Sequence, residues 1–263
     1  MNIIVCIKRV PETAEAEVKI DGTGQDIVRD RLTFDINEAD NYALEEALLM
    51  KEEHGGEVTL LSIGDEDCDD TLRMGLAKGA DEAIRLDDPA FKGSDGFTIA
   101  RILAAAIEDL DYDLILTGCM ASDDGYTQVG PALAENLEIP HATMAINVEL
   151  EDQARAVVQR ELEGGLLEKL DINLPAVITI QTGINEPRYA SILGIGRASK
   201  REIKLLSLAD LDLQANEVGD RGSGSHLENL SFPEVGEQAE ILKGTPDEAA
   251  SKLAELIKER GLL

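Results

Sequence analysis

Residues 112–137 read "YDLILTGCMASDDGYTQVGPALAENL", in which an apolar run leads through a polar stretch into a helical pattern. The apolar run "YDLILTG" (112–118) predicts a buried strand, and the segment from Tyr126 to Leu137 predicts a helix that "EIP" ends. The stretch "ASDDGYTQVGP" (121–131) follows the strand and leads into "ALAENL", so it spans the loop and the start of the helix; it contains Asp, Gly, Thr and Gln but no Lys or Arg. A strand, a short loop and a helix in this order form the basic step of an α/β sheet.

The same step recurs through the first half of the chain. Short apolar runs at 2–7, 57–64 and 82–86 predict strands, and helical spacing of apolar residues predicts helices at 37–54, 68–80 and 95–110. Strands that alternate with helices of this length indicate right-handed βαβ units. We therefore predict an α/β fold with a doubly wound, mainly parallel sheet, Rossmann-like and of the adenine-nucleotide-binding type in shape. A fold of this shape does not by itself establish that the protein binds a nucleotide.

The pattern changes from residue 142 onward. Alternating runs at 142–150, 155–162, 166–174 and 175–183 predict strands, and Gly164-Gly165 between two of them predicts a hairpin turn. We expect this antiparallel extension to complete the same sheet, within one domain of residues 1–213.

Residues 214–263 are predicted to form a linker and a terminal arm. The linker, 214–235, is polar and rich in Gly and Ser. The arm ends in an amphipathic helix, for which Thr245 is the cap and Pro246 the first turn. Such a helix either packs on its own domain or clasps a partner, and the sequence alone favours neither.

Charge limits the classes of partner. Lys and Arg number 24 and Asp and Glu number 53 in 263 residues, so the net charge is 24 − 53 = −29. This charge repels nucleic acid and anionic lipid. The first apolar run is too short for a signal peptide or a membrane span, so we expect a cytoplasmic protein with no direct membrane insertion.

Residues for catalysis or metal binding are not apparent. The three cysteines, Cys6, Cys68 and Cys119, form no CxxC pair and lie in or beside apolar runs, and the three histidines are equally scattered. No nucleophile–base set can be proposed. We predict no catalytic residue and no metal site, so any chemistry would come from a cofactor.

The loop at 121–131 permits two interpretations. Open parallel sheets bind ligands beyond the carboxyl ends of their strands, and a helix that starts near Tyr126 would offer unpaired N–H groups to a phosphate. The simpler and commoner interpretation is a turn and cap that begin a helix. The first strand is not followed by GxGxxG, and the chain has no Walker lysine, which disfavours a standard dinucleotide or P-loop site.

Several longer segments resemble the beta subunit of electron transfer flavoprotein. The most specific is "VQRELEGGLLEKLDINLPAVIT" (158–179), which is similar to the signature of that family. The segments "CIKRVPE", "TLRMGLAKGADEAI", "NEPRYASILGIGRASKREI" and "GTPDEAASKLAELI" are similar in order and spacing. The resemblance implies a heterodimer with an alpha subunit, an FAD held mainly by that subunit, and an adenine nucleotide held by this chain.

The resemblance also implies a cofactor-binding set. Carried over by position, it comprises Cys6, Asn37, Glu38, Ala39, Asp40, Ile63, Asp123, Asp124, Gly125, Tyr126, Thr127, Gln128, Val129, Gly130, Pro131, Ala132, Leu133 and Ala134. The family often has Pro where this chain has Glu38, which weakens that contact. Its nucleotide is AMP, or a second FAD in electron-bifurcating members, and "QVGP" together with Asp40 is closer to the bifurcating branch. AMP and FAD both stay open.

The implied partners are flavin dehydrogenases and an acceptor such as a quinone oxidoreductase. The segment "NEPRYASILGI" (185–195) resembles the loop that docks on dehydrogenases, with Tyr189, Ile192 and Leu193 as candidate contacts. The alternative is that Ile192 and Leu193 pack inward. We interpret the chain as an electron carrier rather than an enzyme in its own right, with flavin-based bifurcation only if a second FAD is bound. The alternative function is an adenine-nucleotide sensor of the universal-stress type, which would not need the region beyond residue 142.

Overall fold

The computed structural model describes residues 1–14, 16–151, 154–233, 239 and 241–262. The chain divides into two compact units, Met1–Glu228 and Asn229–Leu263. The predicted division at residue 213 stays a prediction. None of the helices in the described ranges is both long enough and apolar enough to cross a bilayer.

In the part of the larger unit that the structure describes, eleven strands are formed. They are β1 Asn2–Cys6, β2 Arg9–Pro11, β3 Phe34–Ile36, β4 Glu57–Ile63, β5 Glu82–Leu86, β6 Leu114–Gly118, β7 His141–Leu150, β8 Arg155–Leu162, β9 Leu166–Asn173, β10 Ala176–Ile180 and β11 Lys204–Leu206.

Among the described residues, six α-helices belong to the larger unit and a seventh to the smaller one. They are α1 Glu38–His54, α2 Cys68–Lys78, α3 Gly96–Ile107, α4 Val129–Asn136, α5 Ile192–Ala198, α6 Gly219–Gly222 and α7 Pro246–Glu259. Thr245 caps α7 as predicted, because its side chain accepts from the N–H of Glu248 while Glu248 accepts from the N–H of Thr245.

Within the described ranges, the main sheet has nine strands in the order β11-β5-β4-β1-β6-β10-β7-β8-β9. The pairs from β11 to β7 are all parallel, and β7–β8 and β8–β9 are antiparallel. The predicted doubly wound sheet with an antiparallel extension is therefore confirmed. The chain runs from β1 outward to β5 and then returns to β6 on the other side of β1. The strand order thus reverses between β1 and β6. A small antiparallel pair, β2–β3, was not predicted.

Helices cover both faces of the sheet at β1, which is why β1 has no polar face. Ile3 and Val5 pack with α1 and α2 in one core, and Ile4 and Cys6 pack with α3 and α4 in the other. Strands that are buried on both faces read as continuous apolar runs.

The predicted start of α4 at Tyr126 was wrong, because the helix begins at Val129. Pro131 supplies the physical reason. Proline has no N–H and its ring clashes with the carbonyl four residues earlier, so it is tolerated only in the first turn. The later start places Pro131 in that turn and leaves residues 121–128 outside the helix.

Candidate ligand site at the carboxyl ends of the strands

A cavity of about 230 Å³ opens beyond the carboxyl ends of β1, β4 and β6. It lies where the strand order reverses, which is the usual ligand position in an open α/β sheet. Its lining comprises Cys6, Ile7, Lys8, Asp40, Leu61, Ser62, Ile63, Phe91, Gly93, Ser94, Ile99, Leu103, Thr117, Gly118, Met120, Ala121, Asp124, Tyr126 and Val129.

Asp40, near the start of α1, links the ends of β1 and β6, the two strands between which the strand order reverses (the switch point of the sheet). Its carboxylate accepts the backbone N–H of Lys8 at 2.7 Å and that of Gly118 at 2.9 Å. Gly118 permits this approach, since a Cβ there would lie 2.3 Å from Oδ1 of Asp40 and 2.7 Å from its backbone N. Hydrogen bonds to Asp40 therefore link α1 to the ends of β1 and β6 at the floor of the cavity.

Burial raises the pKa of Asp40 to about 7, although the N–H groups of Lys8 and Gly118 favour its ionised form. Between about pH 4 and pH 7 the native state therefore holds a proton that the unfolded chain has lost. The contribution of Asp40 to the free energy of unfolding must therefore fall as the pH rises from about 4 to about 7.

We accordingly expect Asp40→Asn to become more stable relative to the wild type by about 2–3 kcal/mol between pH 5 and pH 7, because Asn cannot ionise. Urea unfolding of both proteins at each pH measures this difference. Asn can accept only one of the two N–H groups, so a constant offset is also expected. A difference that does not change with pH would contradict the assignment.

Asn37 holds the loop that follows β6. Its side-chain amide donates to the carbonyl of Met120 at 2.9 Å, and its side-chain oxygen accepts the N–H of Ser122 at 3.1 Å. Of its sequence neighbours, Glu38 is exposed and Ala39 is buried in the core.

The loop itself is a series of turns. Gly125 has a φ of 69° and donates to the carbonyl of Ala121, while a carboxylate oxygen of Asp124 accepts the N–H of Tyr126 at 3.0 Å. In the described parts of the chain, the backbone N–H groups of residues 127–130 have no acceptor. Four free donors therefore stand at the start of α4, next to the cavity.

The structure brings together a third of the predicted cofactor-binding set: Cys6, Asp40, Ile63, Asp124, Tyr126 and Val129 line the cavity. Others lie in the exposed part of the loop, namely Asp123, Gly125, Thr127 and Gln128. Pro131 and Ala132 are half-buried, and Gly130, Leu133 and Ala134 are buried in α4. The assignment of these side chains to a cofactor stays a prediction.

Sequence reasoning missed most of the cavity wall. Ile7, Lys8, Thr117 and Gly118 could have been found, because they end or follow strands that share one edge of the sheet. Ile99 and Leu103 of α3 and the turn at 91–94 carry no local signal, since only tertiary packing places them at the cavity.

The segment 185–195 presents a second feature, a run of exposed apolar side chains. Tyr189 is 98% exposed, Ile192 89% and Leu193 74%. Ser191 caps α5, where its side chain accepts the N–H of Gly194 at 3.0 Å. Ile192 and Leu193 therefore do not pack inward, so that alternative interpretation is wrong.

The fold and the position of the cavity define the class: a doubly wound α/β protein with a ligand-type cavity at the switch point of its sheet. Residues 26–211 match the model of the electron transfer flavoprotein domain. The chain is 40% identical to electron transfer flavoprotein subunit beta of Methylophilus methylotrophus, covering 98% of each chain. It is also 40% identical to the subunit beta of Thermoanaerobacterium thermosaccharolyticum, covering all of both chains.

A further relative is the caffeyl-CoA reductase-Etf complex subunit CarD of Acetobacterium woodii, 35% identical over the full length of both chains. The chain belongs to the electron transfer flavoprotein family, and within it to the beta subunits. Its role is electron transfer. The resemblance found in the sequence is confirmed, and it displaces the universal-stress-type sensor as an interpretation.

Proposed function

We propose that this chain is the electron-carrier subunit of a cytoplasmic heterodimer and holds an adenine nucleotide, AMP or a second FAD, in the cavity at the switch point. An alpha subunit supplies most of the binding site for the redox FAD. Flavin dehydrogenases dock on the segment 185–195 and deliver electrons, which pass to an acceptor such as a quinone oxidoreductase.

The observation that carries this proposal is the set of free N–H groups at residues 127–130 beside the cavity. Backbone donors at a helix start attract a phosphate without a basic side chain, because the helix dipole adds a partial positive charge. In a chain with a net charge of −29, this local field is what would make an anionic ligand acceptable.

The cavity wall fits the other end of an adenine nucleotide. Leu61, Ile99 and Leu103 are apolar and suit the faces of a purine ring. The buried hydroxyls of Ser62 and Thr117 offer hydrogen bonds to its polar edge or to a ribose. At about 230 Å³ the cavity is smaller than the roughly 300–1,000 Å³ typical of sites for larger ligands, so it suits the adenosine part alone.

An adenosine-sized cavity accommodates either AMP or the corresponding half of FAD. A second FAD in this chain would supply flavin redox chemistry, whereas AMP would leave the chain without a redox group of its own. The residues described here bind and orient in both cases.

The C-terminal arm is a further feature that supports the proposed association with a second protein. Helix α7 is amphipathic, and within its own unit, Asn229–Leu263, none of its residues is buried. An apolar stripe of this kind is a common contact surface for a second protein.

The direct test is the nucleotide content of the heterodimer. The chain is co-expressed with its alpha subunit, purified and denatured, and the released FAD and AMP are quantified. We expect two adenine nucleotides per heterodimer, as one FAD and one AMP or as two FAD. One nucleotide per heterodimer would show that this chain holds none.

A further inference from the structure

Lys8, two residues beyond β1, connects the floor of the cavity to the loop above it. Its backbone N–H donates to Asp40 at 2.7 Å. Its ammonium Nζ lies 2.6 Å from Oδ1 of Asp123 and 2.5 Å from Oδ2 of Asp124. Lys8 therefore contacts the buried Asp40 through its main chain and the acidic loop through its side chain.

The positive charge that pairs with these carboxylates comes from Lys8. Among the described residues that line the cavity, Lys8 is the only basic one, and Asp40 and Asp124 are acidic. Burial lowers the pKa of the Lys8 ammonium, but the hydrogen bonds and charges of Asp123 and Asp124 outweigh it and leave the pKa raised. Lys8 is therefore charged at neutral pH, and its charge is directed at these two carboxylates.

The two carboxylates create a problem for an anionic ligand. Asp123 and Asp124 precede the free N–H groups of residues 127–130 by only a few residues. Without a counter-charge, two negative groups beside the donors would repel a phosphate and weaken the attraction of the helix start. Each carboxylate also fixes a turn, because Asp123 accepts from the N–H of Asp124 and Asp124 from that of Tyr126.

We propose that Lys8 is a positioning residue that fastens the loop 121–126 through Asp123 and Asp124 and neutralises both carboxylates, so that the N–H groups of residues 127–130 can donate to the phosphate of an adenine nucleotide. This inference rests on the proposed function. Lys8 acts on the loop and not on the phosphate.

The first experiment needs no nucleotide. Hydrogen exchange is measured on the nucleotide-free full chain for the loop 121–126, with the N–H of Gly125 and Tyr126 as reporters. We expect Lys8→Met to speed their exchange by about tenfold, because the loop loses its anchor, and Lys8→Arg to retain most of the protection. Unchanged exchange in Lys8→Met would overturn the proposal.

The second experiment measures AMP affinity of the same variants by calorimetry. We expect Lys8→Met to weaken binding by about tenfold and Lys8→Arg to stay within about threefold of the wild type. Lys204→Met makes the same change in net charge on the exposed edge strand β11 and should have no effect.

The triple variant K8M/D123N/D124N separates this role from direct phosphate binding. Asn keeps the side-chain oxygen that fixes each turn but removes the charge, so we expect most of the AMP affinity to return. Affinity as weak as that of Lys8→Met would overturn the proposal and assign Lys8 to the phosphate itself. If the wild type binds no AMP while its loop exchange still depends on Lys8, the proposed nucleotide site fails and the fastening role stands.

Discussion

Replacing Arg188 by alanine is expected to lower the free energy of unfolding by about 3–5 kcal/mol, because it leaves a buried carboxylate without its partner. The side chain of Glu45 on α1 is only 6% exposed. Arg188 approaches it with two nitrogens, Nε at 2.9 Å and Nη2 at 2.8 Å, and its backbone N–H donates to the same carboxylate at 3.0 Å. Urea unfolding measures the loss.

A second ion pair of the same arginine provides the matched control. Glu52 pairs with Nη1 of Arg188 at 2.5 Å, but its side chain is 59% exposed. Glu52→Gln should therefore cost less than about 1 kcal/mol, since exposed ion pairs contribute little. Arg188→Lys should fall between the two, because an ammonium cannot reproduce the two-nitrogen geometry. Equal losses in Arg188→Ala and Glu52→Gln would show that Glu45 does not depend on this pair.

The same pair has a consequence for docking. Arg188 immediately precedes Tyr189, so the contact with Glu45 attaches the exposed segment 185–195 to α1. Asn185 adds a second attachment through its amide, which donates to Glu46 at 2.9 Å and to the carbonyl of Tyr42 at 3.1 Å. A segment held in one conformation loses less entropy when a partner binds.

The second large effect is expected from Ile192→Ala, which removes the apolar side chain that we propose as the docking contact. A central hot-spot residue contributes about 2 kcal/mol or more, so kcat/KM for electron transfer from a partner dehydrogenase should fall by about 30-fold. Flavin and nucleotide content should not change, because Ile192 is 89% exposed and does not line the cavity. Steady-state assays over a range of heterodimer concentrations measure the effect.

Leu205→Ala provides the comparison, because Leu205 is an exposed aliphatic residue on β11, outside the docking segment. It should leave electron transfer unchanged. If Ile192→Ala instead released flavin at an unchanged rate of electron transfer, the residue would belong to the cofactor-binding structure and the docking proposal would fail.

Local signals in the sequence were sufficient for most of the fold. The strand at 82–86 and the hairpin turn at Gly164-Gly165 lie where they were predicted, and both glycines of that turn have positive φ. The cap at Thr245 is also confirmed. Each of these features depends on residues within a few positions of one another, which is why a single sequence reveals them.

The candidate site was only partly predictable. The loop 121–131 was identified as one possible ligand position because it follows the carboxyl end of a predicted strand, and the cavity does reach Asp124, Tyr126 and Val129. Its counter-charge was missed. Lys8 lies 115 residues before Asp123 in the chain, and nothing in the loop sequence specifies that partner.

The sequence alone was enough for the order of the main strands and helices, the two-faced burial of the central strands and the family, because these depend on periodicity and on short motifs. Only the tertiary structure decided which polar groups meet. Asp40 joins the ends of β1 and β6, Lys8 neutralises the acidic loop, and Arg188 reaches Glu45 across 143 residues of chain. Such pairs depend on how parallel strands bring distant segments to one edge, and a hydrogen bond tolerates only a few tenths of an ångström of error in that placement.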